Sequence, residues 1–324
     1  MSDIFKRIEQ LGVLPELTID DPFDAIGAGE AIMNGGISMA EITFRTKAAG
    51  ESIRMLNSAC PDMLIGAGTI LSTLQVDEAV AAGAKFIVSP GISTDVVKYC
   101  KEKDIPIIPG VATPTDIETA IRLGIGLVKF FPAESNGGIK ALKAMSEPYP
   151  KLRFMPSGGI NEDNVANYLK SSKVLAVAGN WMCTKKMITS RNLDEIEEKC
   201  RRALRMMLGF EFDHIGIHFH KDEDAMHSAQ MLSAMLDVPL EESNNLFRTG
   251  SMFELLKPQA ENLSGHLALK TNHLGRALNH IMGKGIEVDE ESLIKDEEGR
   301  IISVTLKREI GGIKIRLIQS RGEE

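Results

Sequence analysis

The stretch LVKFFPAE, residues 127–134, sets a lysine, Lys129, after two aliphatic residues and before Phe130, Phe131 and Pro132. An ammonium in that company loses hydration, and lysine is rarely buried without a partner or a task. Desolvation beside two phenylalanines disfavours the charged form, lowers the pKa and supplies a neutral amine nucleophile. Such an amine condenses with a ketone to an iminium, an electron sink for breaking a neighbouring carbon–carbon bond. The plainer use is a strand-end lysine that snorkels to solvent.

Cleavage through an iminium also needs a group that moves protons, and Glu41 in AEITFRT is the best-placed carboxylate. Its plainer use is a buried ion pair with Lys129 or Arg45, which itself requires their proximity. Arg45 offers a bidentate fork for a carboxylate, or a surface salt bridge. The GAGT turn, residues 66–69, lets backbone approach a ligand, with the Thr69 hydroxyl as donor. All seven histidines lie at or beyond His214. A histidine-ligated metal aldolase in the first two-thirds is therefore excluded, and a carboxylate-bound Mg²⁺ is the lesser alternative to the lysine.

A scaffold must gather these residues. Short β-rich runs occur at 13–17, 40–44, 64–68, 86–89, 105–110, 127–131, 153–157 and 174–179, with amphipathic helical stretches between them. Eight such runs joined by helices predict parallel pairing through right-handed crossovers, in a (β/α)8 TIM barrel. A doubly wound sheet would want a Gly-rich phosphate loop after the first strand, and GVLPELTIDDP has none. In a barrel, catalytic groups sit at the C-terminal strand ends. Glu41 and Arg45, Gly66 to Thr69, Ser89-Pro90-Gly91, Pro109-Gly110, Lys129, Ser157-Gly158-Gly159 and Gly179-Asn180 all fall there. The last two loops, SGGI and AGN, follow strands seven and eight, where barrels commonly bind a phosphate through backbone amides.

The chain has 324 residues and a net charge of −8, of which residues 1–208 carry −1 and residues 209–324 carry −7. Phosphate-backbone binding needs a basic face, so nucleic acid is not an expected partner. No run approaches the ~20 apolar residues of a membrane helix, and MSDIFKRIEQLG is no secretory leader. The four cysteines lack CxxC spacing. A cytoplasmic protein with reduced thiols is expected.

The texture changes at FEFDHIGIHFH. Two weakly similar halves, roughly 212–258 and 264–319, each open on a histidine-bearing strand, continue as a helix and close on β-rich segments. Gly311-Gly312 reads as a hairpin turn. The expected organisation is an α/β barrel over 1–208 and a smaller α+β domain of two βαβββ units over 209–324.

EITFRT, GAGT, SPG, PGVATP, KFFPAE, PSGGI and AGNW, in this order, resemble 2-keto-3-deoxy-6-phosphogluconate (KDPG) aldolase, a family that includes 4-hydroxy-2-oxoglutarate (KHG) aldolase activity. The resemblance covers residues 1 to about 208. It implies a cofactor-independent class I aldolase, a carbon–carbon lyase on a (β/α)8 barrel, usually a homotrimer, with a small keto acid as substrate. Lys129 would be the Schiff-base lysine and Glu41 the general acid/base. Arg45 and Thr69 would hold the pyruvyl carboxylate, and Pro90 and Phe131 would line the pocket. Ser157, Gly158, Gly159 and Gly179 would bind the phosphate.

Asn180 stands where the family usually has a phosphate-binding serine, and Ser157 where threonine is usual, which leaves phosphorylated and plain keto-deoxy acids open as substrates. Glu16 replaces a typically apolar residue on strand one. Facing the barrel mouth it would repel an anion or pair with a cation; facing the helices it would mean little.

In the second half, FDHIGIHF, MFELLK, SGHLALKT and KIRLIQ resemble strands of the glyoxalase (vicinal oxygen chelate) superfamily. Its ligand positions map to His214, Glu254, His266 and Arg316. Arginine cannot bind a metal, but two histidines and a carboxylate can still hold a divalent ion. The plainer reading is a domain that packs on the barrel or binds a small anion. His214 and His218 share a strand face, so a histidine-lined cleft is open, while His273 and His280 read as surface residues. For the whole chain, the alternative to a Schiff-base lyase is a degenerate barrel serving as a sugar-acid sensor or scaffold. The unbroken Glu41, Arg45 and Lys129 set favours the enzyme.

Overall fold

The computed structural model describes residues 3–260 and 265–320. The chain divides into two compact units, Met1–Met207 and Leu208–Glu324.

In the first unit, strands β1 (Val13–Leu17), β2 (Met39–Thr43), β3 (Leu64–Gly68), β4 (Phe86–Val88), β5 (Ile107–Ile108), β6 (Gly110–Val111), β7 (Leu127–Phe130), β8 (Arg153–Pro156) and β9 (Val177–Gly179) alternate with helices. The helices are α1 (Asp3–Leu11), α2 (Asp24–Asn34), α3 (Ala49–Ala59), α4 (Thr73–Ala82), α5 (Thr94–Glu102), α6 (Pro114–Arg122), α7 (Gly138–Ser146), α8 (Val165–Leu169), α9 (Lys185–Thr189) and α10 (Leu193–Leu208). The strands run in the order β5-β4-β3-β2-β1-β9, and separately β6-β7-β8, with parallel pairing throughout.

Two seams close the ring. The run expected as one strand at 105–110 is broken at Pro109, a residue with no N–H for a ladder. Its first piece bonds β4 and its second β7, while the Pro109 carbonyl accepts the Lys129 amide at 2.8 Å. At the other seam Phe154 bridges Val174, so the run expected from residue 174 is a bridge followed by the short β9. The result is a TIM-barrel-like α/β unit.

Capping residues start helices directly after strands. Ser72 and Ser93 accept the amides of Gln75 and Val96, and Thr113 forms a capping box with Asp116 beside Pro114 at N1. The turns after β3, β4 and β6 are short for that reason.

The second unit contains β10 (Glu211–His218), α11 (Asp222–Leu236), β11 (Leu240–Glu242), β12 (Leu246–Thr249), β13 (Phe253–Leu256), β14 (His266–Thr271), α12 (Leu274–Met282), β15 (Val288–Lys295), β16 (Ile301–Leu306) and β17 (Lys314–Gln319). They form one mixed sheet, ordered β11-β12-β13-β10-β14-β17-β16-β15. Strand β10 is parallel to β13 and antiparallel to β14, which is parallel to β17. Each helix covers its own apolar cluster: Ala225 and Ala229 of α11 against Phe247 and Leu255, and Leu274, Leu278 and Ile281 of α12 against Val304, Ile315 and Leu317. Gly311 and Gly312, both at positive φ, make the expected tight turn between Ile310 and Ile313.

Candidate functional site

Lys129 lies near the end of β7 with its side chain 7% exposed. Strand alternation separates its two aromatic neighbours. Phe130 is fully buried, whereas the ammonium sits 5.2 Å from the centre of the Phe131 ring. The closest group is a carboxylate: Lys129 Nζ donates to Glu16 Oε1 at 2.6 Å, and Ser157 Oγ donates to the same oxygen at 2.8 Å. Glu41 Oε1 lies 3.6 Å from Lys129 Nζ, with the Glu41 side chain 1% exposed. Glu16 and Glu41 are register partners on β1 and β2. Thr43 ties the two strands just beyond, donating to the Leu17 carbonyl at 3.0 Å and sharing a 2.8 Å bond with Thr18.

This arrangement corrects the expectation of an amine neutralised by apolar neighbours. Burial does disfavour the Lys129 charge, but Glu16 and Glu41 outweigh it and hold the ammonium above the ordinary lysine value. Glu41 moves the other way. Burial, aided by the Glu16 charge, raises it to about 7 against the pull of Lys129 and Arg45. Glu16, ambiguous in the sequence, faces the lysine. Only the β1–β2 register reveals this, because VLPEL alone does not say which face points inward.

The other expected residues gather around this pair. Arg45 is exposed and its Nε donates to Thr69 Oγ1 at 3.3 Å. Thr69 adopts φ 58°, rare for a β-branched residue and a mark of imposed conformation. Gly68 makes room for Glu41, since a Cβ there would lie 1.7 Å from Glu41 Oε1 and push that side chain aside. Gly110 is confined by backbone, with the Pro90 carbonyl at 2.1 Å from a Cβ there. Ser157 is fully buried and turned toward Glu16. Gly158 (φ 92°) and Gly159 (φ 85°) form the turn after β8, beside Phe131 and Pro132. Gly179 is buried and Asn180 exposed at the end of β9.

Sequence reasoning missed Glu134 as an organiser of that turn. Its amide donates to the Gly158 carbonyl at 3.0 Å, and its carboxylate accepts from the Tyr168 hydroxyl. A second charged residue, closing the KFFPAE motif, was the available signal.

In the second unit, β10 runs between β13 and β14, and Gly216 is opposite both Glu254 and His266. A Cβ at Gly216 would lie 2.4 Å from His266 Cε1, so the glycine admits that ring. His214, two residues away on the same face, brings its Nε2 to 3.1 Å from His266 Nε2 and 3.3 Å from Glu254 Oε2. One donor atom from each residue falls within 4.8 Å of the others, and all three residues are buried. His214 Nδ1 meets Asp213 Oδ2 at 2.7 Å. Arg248 bonds Glu254 Oε1. Burial works against the Glu254 charge, but bonds from His214 and Arg248 bring its pKa down to about 2. Arg316 donates to Ser303 Oγ at 2.7 Å. His218 pairs edge-on with His220 and is not one of the three converging residues. His273 caps α12 and, like His280, is half-buried, so the surface expectation for both is corrected.

Comparison with known proteins agrees with the barrel geometry. A 2-dehydro-3-deoxy-phosphogluconate aldolase of Haemophilus influenzae is 42% identical over 201 residues, 62% of this chain and 95% of the relative. The KHG/KDPG aldolase of Escherichia coli is 35% identical over 192 residues, 59% of this chain and 90% of the relative. Among solved structures, KDPG aldolase from Legionella pneumophila, with pyruvate captured as a covalent carbinolamine, aligns with a TM-score of 0.60 at 36% identity, covering 62% of this chain and 98% of that one. The family profile for KDPG and KHG aldolase matches residues 4–199, and the chain belongs to that family.

Proposed function

We infer that the barrel is a class I aldolase that cleaves a 2-keto-3-deoxy acid to pyruvate and an aldehyde. The observation that carries this reading is a buried lysine held between two carboxylates at the C-terminal end of a barrel strand, in a chain of the KDPG and KHG aldolase family. KDPG, giving glyceraldehyde 3-phosphate, is the first substrate; 4-hydroxy-2-oxoglutarate, giving glyoxylate, and unphosphorylated keto-deoxy acids are the alternatives.

In this reading Lys129 forms the iminium with the substrate ketone. Glu41 removes the C4 hydroxyl proton as the C3–C4 bond breaks into the iminium, a base role suited to a pKa of about 7. The enamine is then protonated, and hydrolysis frees pyruvate. Arg45 and Thr69 hold the substrate carboxylate, Pro90 and Phe131 line its site, and Gly158, Gly159, Gly179 and Asn180 receive the distal end; Ser157, expected among them, is buried and bonded to Glu16 beside the lysine instead. No step draws on a cofactor.

Borohydride with pyruvate should label Lys129, and pyruvate release should be detectable by coupling to lactate dehydrogenase. An unlabelled, fully active protein would refute the assignment. Glu41→Gln should reduce turnover by about 10²–10⁴-fold with the fold intact; unchanged turnover removes Glu41 from the chemistry.

The second unit, read as two βαβββ modules of the glyoxalase type over residues 209–324, gives a further reading. Its element order supports this, and the convergence of His214, Glu254 and His266 favours a divalent-ion site there. The donor set fits: two imidazole nitrogens and the Glu254 oxygen not engaged by Arg248 face one another. Stoichiometric zinc, iron or nickel in the purified chain, lost with His214→Ala, supports this reading; a metal-free chain leaves the small-anion reading. Family likeness supports a homotrimer, and four buried free cysteines support a reducing, cytoplasmic setting. Among the described residues, no helix is long and apolar enough to cross a membrane.

A further inference from the structure

We propose that Glu16 is a catalytic residue of the barrel: it takes the Lys129 proton when the imine forms and returns it to the departing water. The inference rests on Lys129 being the imine-forming amine.

The geometry separates the two carboxylates. Glu16 Oε1 is in hydrogen-bond contact with Lys129 Nζ at 2.6 Å, whereas Glu41 Oε1 stands at 3.6 Å, beyond hydrogen-bond range. A proton moves along the first contact and not across the second. Ser157 Oγ, bonded to the same Glu16 oxygen at 2.8 Å, keeps that oxygen aimed as the amine turns toward a ketone. The charged groups facing Glu16 are Lys129 from β7 and Glu41 from β2, both of which also feel Arg45 after β2, while Ser157 after β8 is neutral. One lysine cannot neutralise two buried carboxylates. Glu16, the one in direct contact, is the counter-ion of the ammonium, while burial raises Glu41 to about 7.

The step balances. The ammonium gives one proton to Glu16, leaving an amine whose lone pair adds to the ketone carbon, while the carbonyl π pair moves onto oxygen. A second nitrogen proton reaches that oxygen, giving a carbinolamine. Glu16 then protonates the hydroxyl, water leaves as the nitrogen lone pair forms the C=N bond, and the Glu16 carboxylate is restored. Glu41 is thereby free for the C4 hydroxyl, so the two acids divide imine formation from bond cleavage.

The test is rapid-quench borohydride trapping of pyruvate on the full chain, from pH 6 to 9. Glu16→Gln keeps the side-chain size and an acceptor for Ser157 but cannot take a proton. It should form the adduct at least about tenfold more slowly, lowering kcat rather than raising KM, and flatten the pH dependence of adduct formation. Glu16→Asp should give an intermediate rate, and it carries the test if the glutamine variant does not fold. Wild-type trapping rates and pH profile in these variants would overturn the proposal while leaving Lys129 in place. A wild-type protein that traps no pyruvate would overturn both.

Discussion

Glu16 and Glu41 face each other across neighbouring parallel strands and both direct an oxygen at the Lys129 ammonium, at 2.6 and 3.6 Å. Two acids and one base in a buried site form an unequal set. Most of the expected behaviour of the barrel follows from that inequality.

Replacing the base exposes it directly. Lys129→Met leaves both carboxylates buried without their cation, a class of change that costs about 3–5 kcal/mol. At pH 8 the barrel should unfold at a correspondingly lower urea concentration, and adding Glu16→Gln should recover part of the loss because the two sites are in contact. Trp181, the sole tryptophan of the chain, reports this unit by fluorescence. A double variant no more stable than Lys129→Met would mean that the carboxylates do not oppose one another.

Proton uptake gives a second signature. Glu41 titrates at about 7 in the folded barrel against an ordinary value of 4.5. Between those values the folded chain binds the extra proton, so the Glu41 contribution to stability falls as pH rises and levels off above about 7. The raised Lys129 pKa works at higher pH and does not enter this window. Denaturation of wild type and Glu41→Gln from pH 5 to 8 should show the variant gaining on wild type up to neutrality; parallel profiles would contradict the raised value.

Gly68 and Gly110 are both sterically confined, but by different neighbours. A methyl at Gly68 meets the carboxylate of Glu41, and one at Gly110 meets the Pro90 backbone. Gly68→Ala should displace Glu41 and lower turnover while costing about 1–3 kcal/mol. Gly110→Ala should cost more stability than Gly68→Ala, because backbone cannot swing aside. Melting temperature and turnover, measured on both, separate the two effects; equal losses in both quantities would contradict the distinction.

Asn180, exposed after β9, tests the distal end of the substrate. Asn180→Ser should lower KM for the phosphorylated keto-deoxy acid about tenfold, as one added charge-assisted hydrogen bond does, and leave KM for the plain acid unchanged. Equal changes for both substrates would place Asn180 away from the phosphate.

Much of this architecture is legible in the sequence itself. The β-rich runs at 13–17 and 64–68 coincide with β1 and β3, and the chemistry-bearing residues do cluster at strand ends. The partner of Lys129 was not legible. Phenylalanines adjacent in sequence alternate across a strand, so only Phe131 meets the ammonium, while Glu16, 113 residues away, becomes a neighbour through strand order and register. The break at Pro109 was equally hidden, because local pattern does not say which neighbour each half of a strand will bond. In the second unit, the order of strands places Glu254 and His266 on either side of Gly216; the motif match named these residues, but their distances come only from the sheet.

The eight-stranded sheet of that unit has two borders, β11 and β15. Glu241 and Glu242 line one, and Asp289, Glu290 and Glu291 the other. Unsatisfied strand edges invite pairing between molecules, and like charge on both borders repels a second copy approaching by either side. The acidity concentrated in this part of the chain thus puts like charge along both open edges of its sheet.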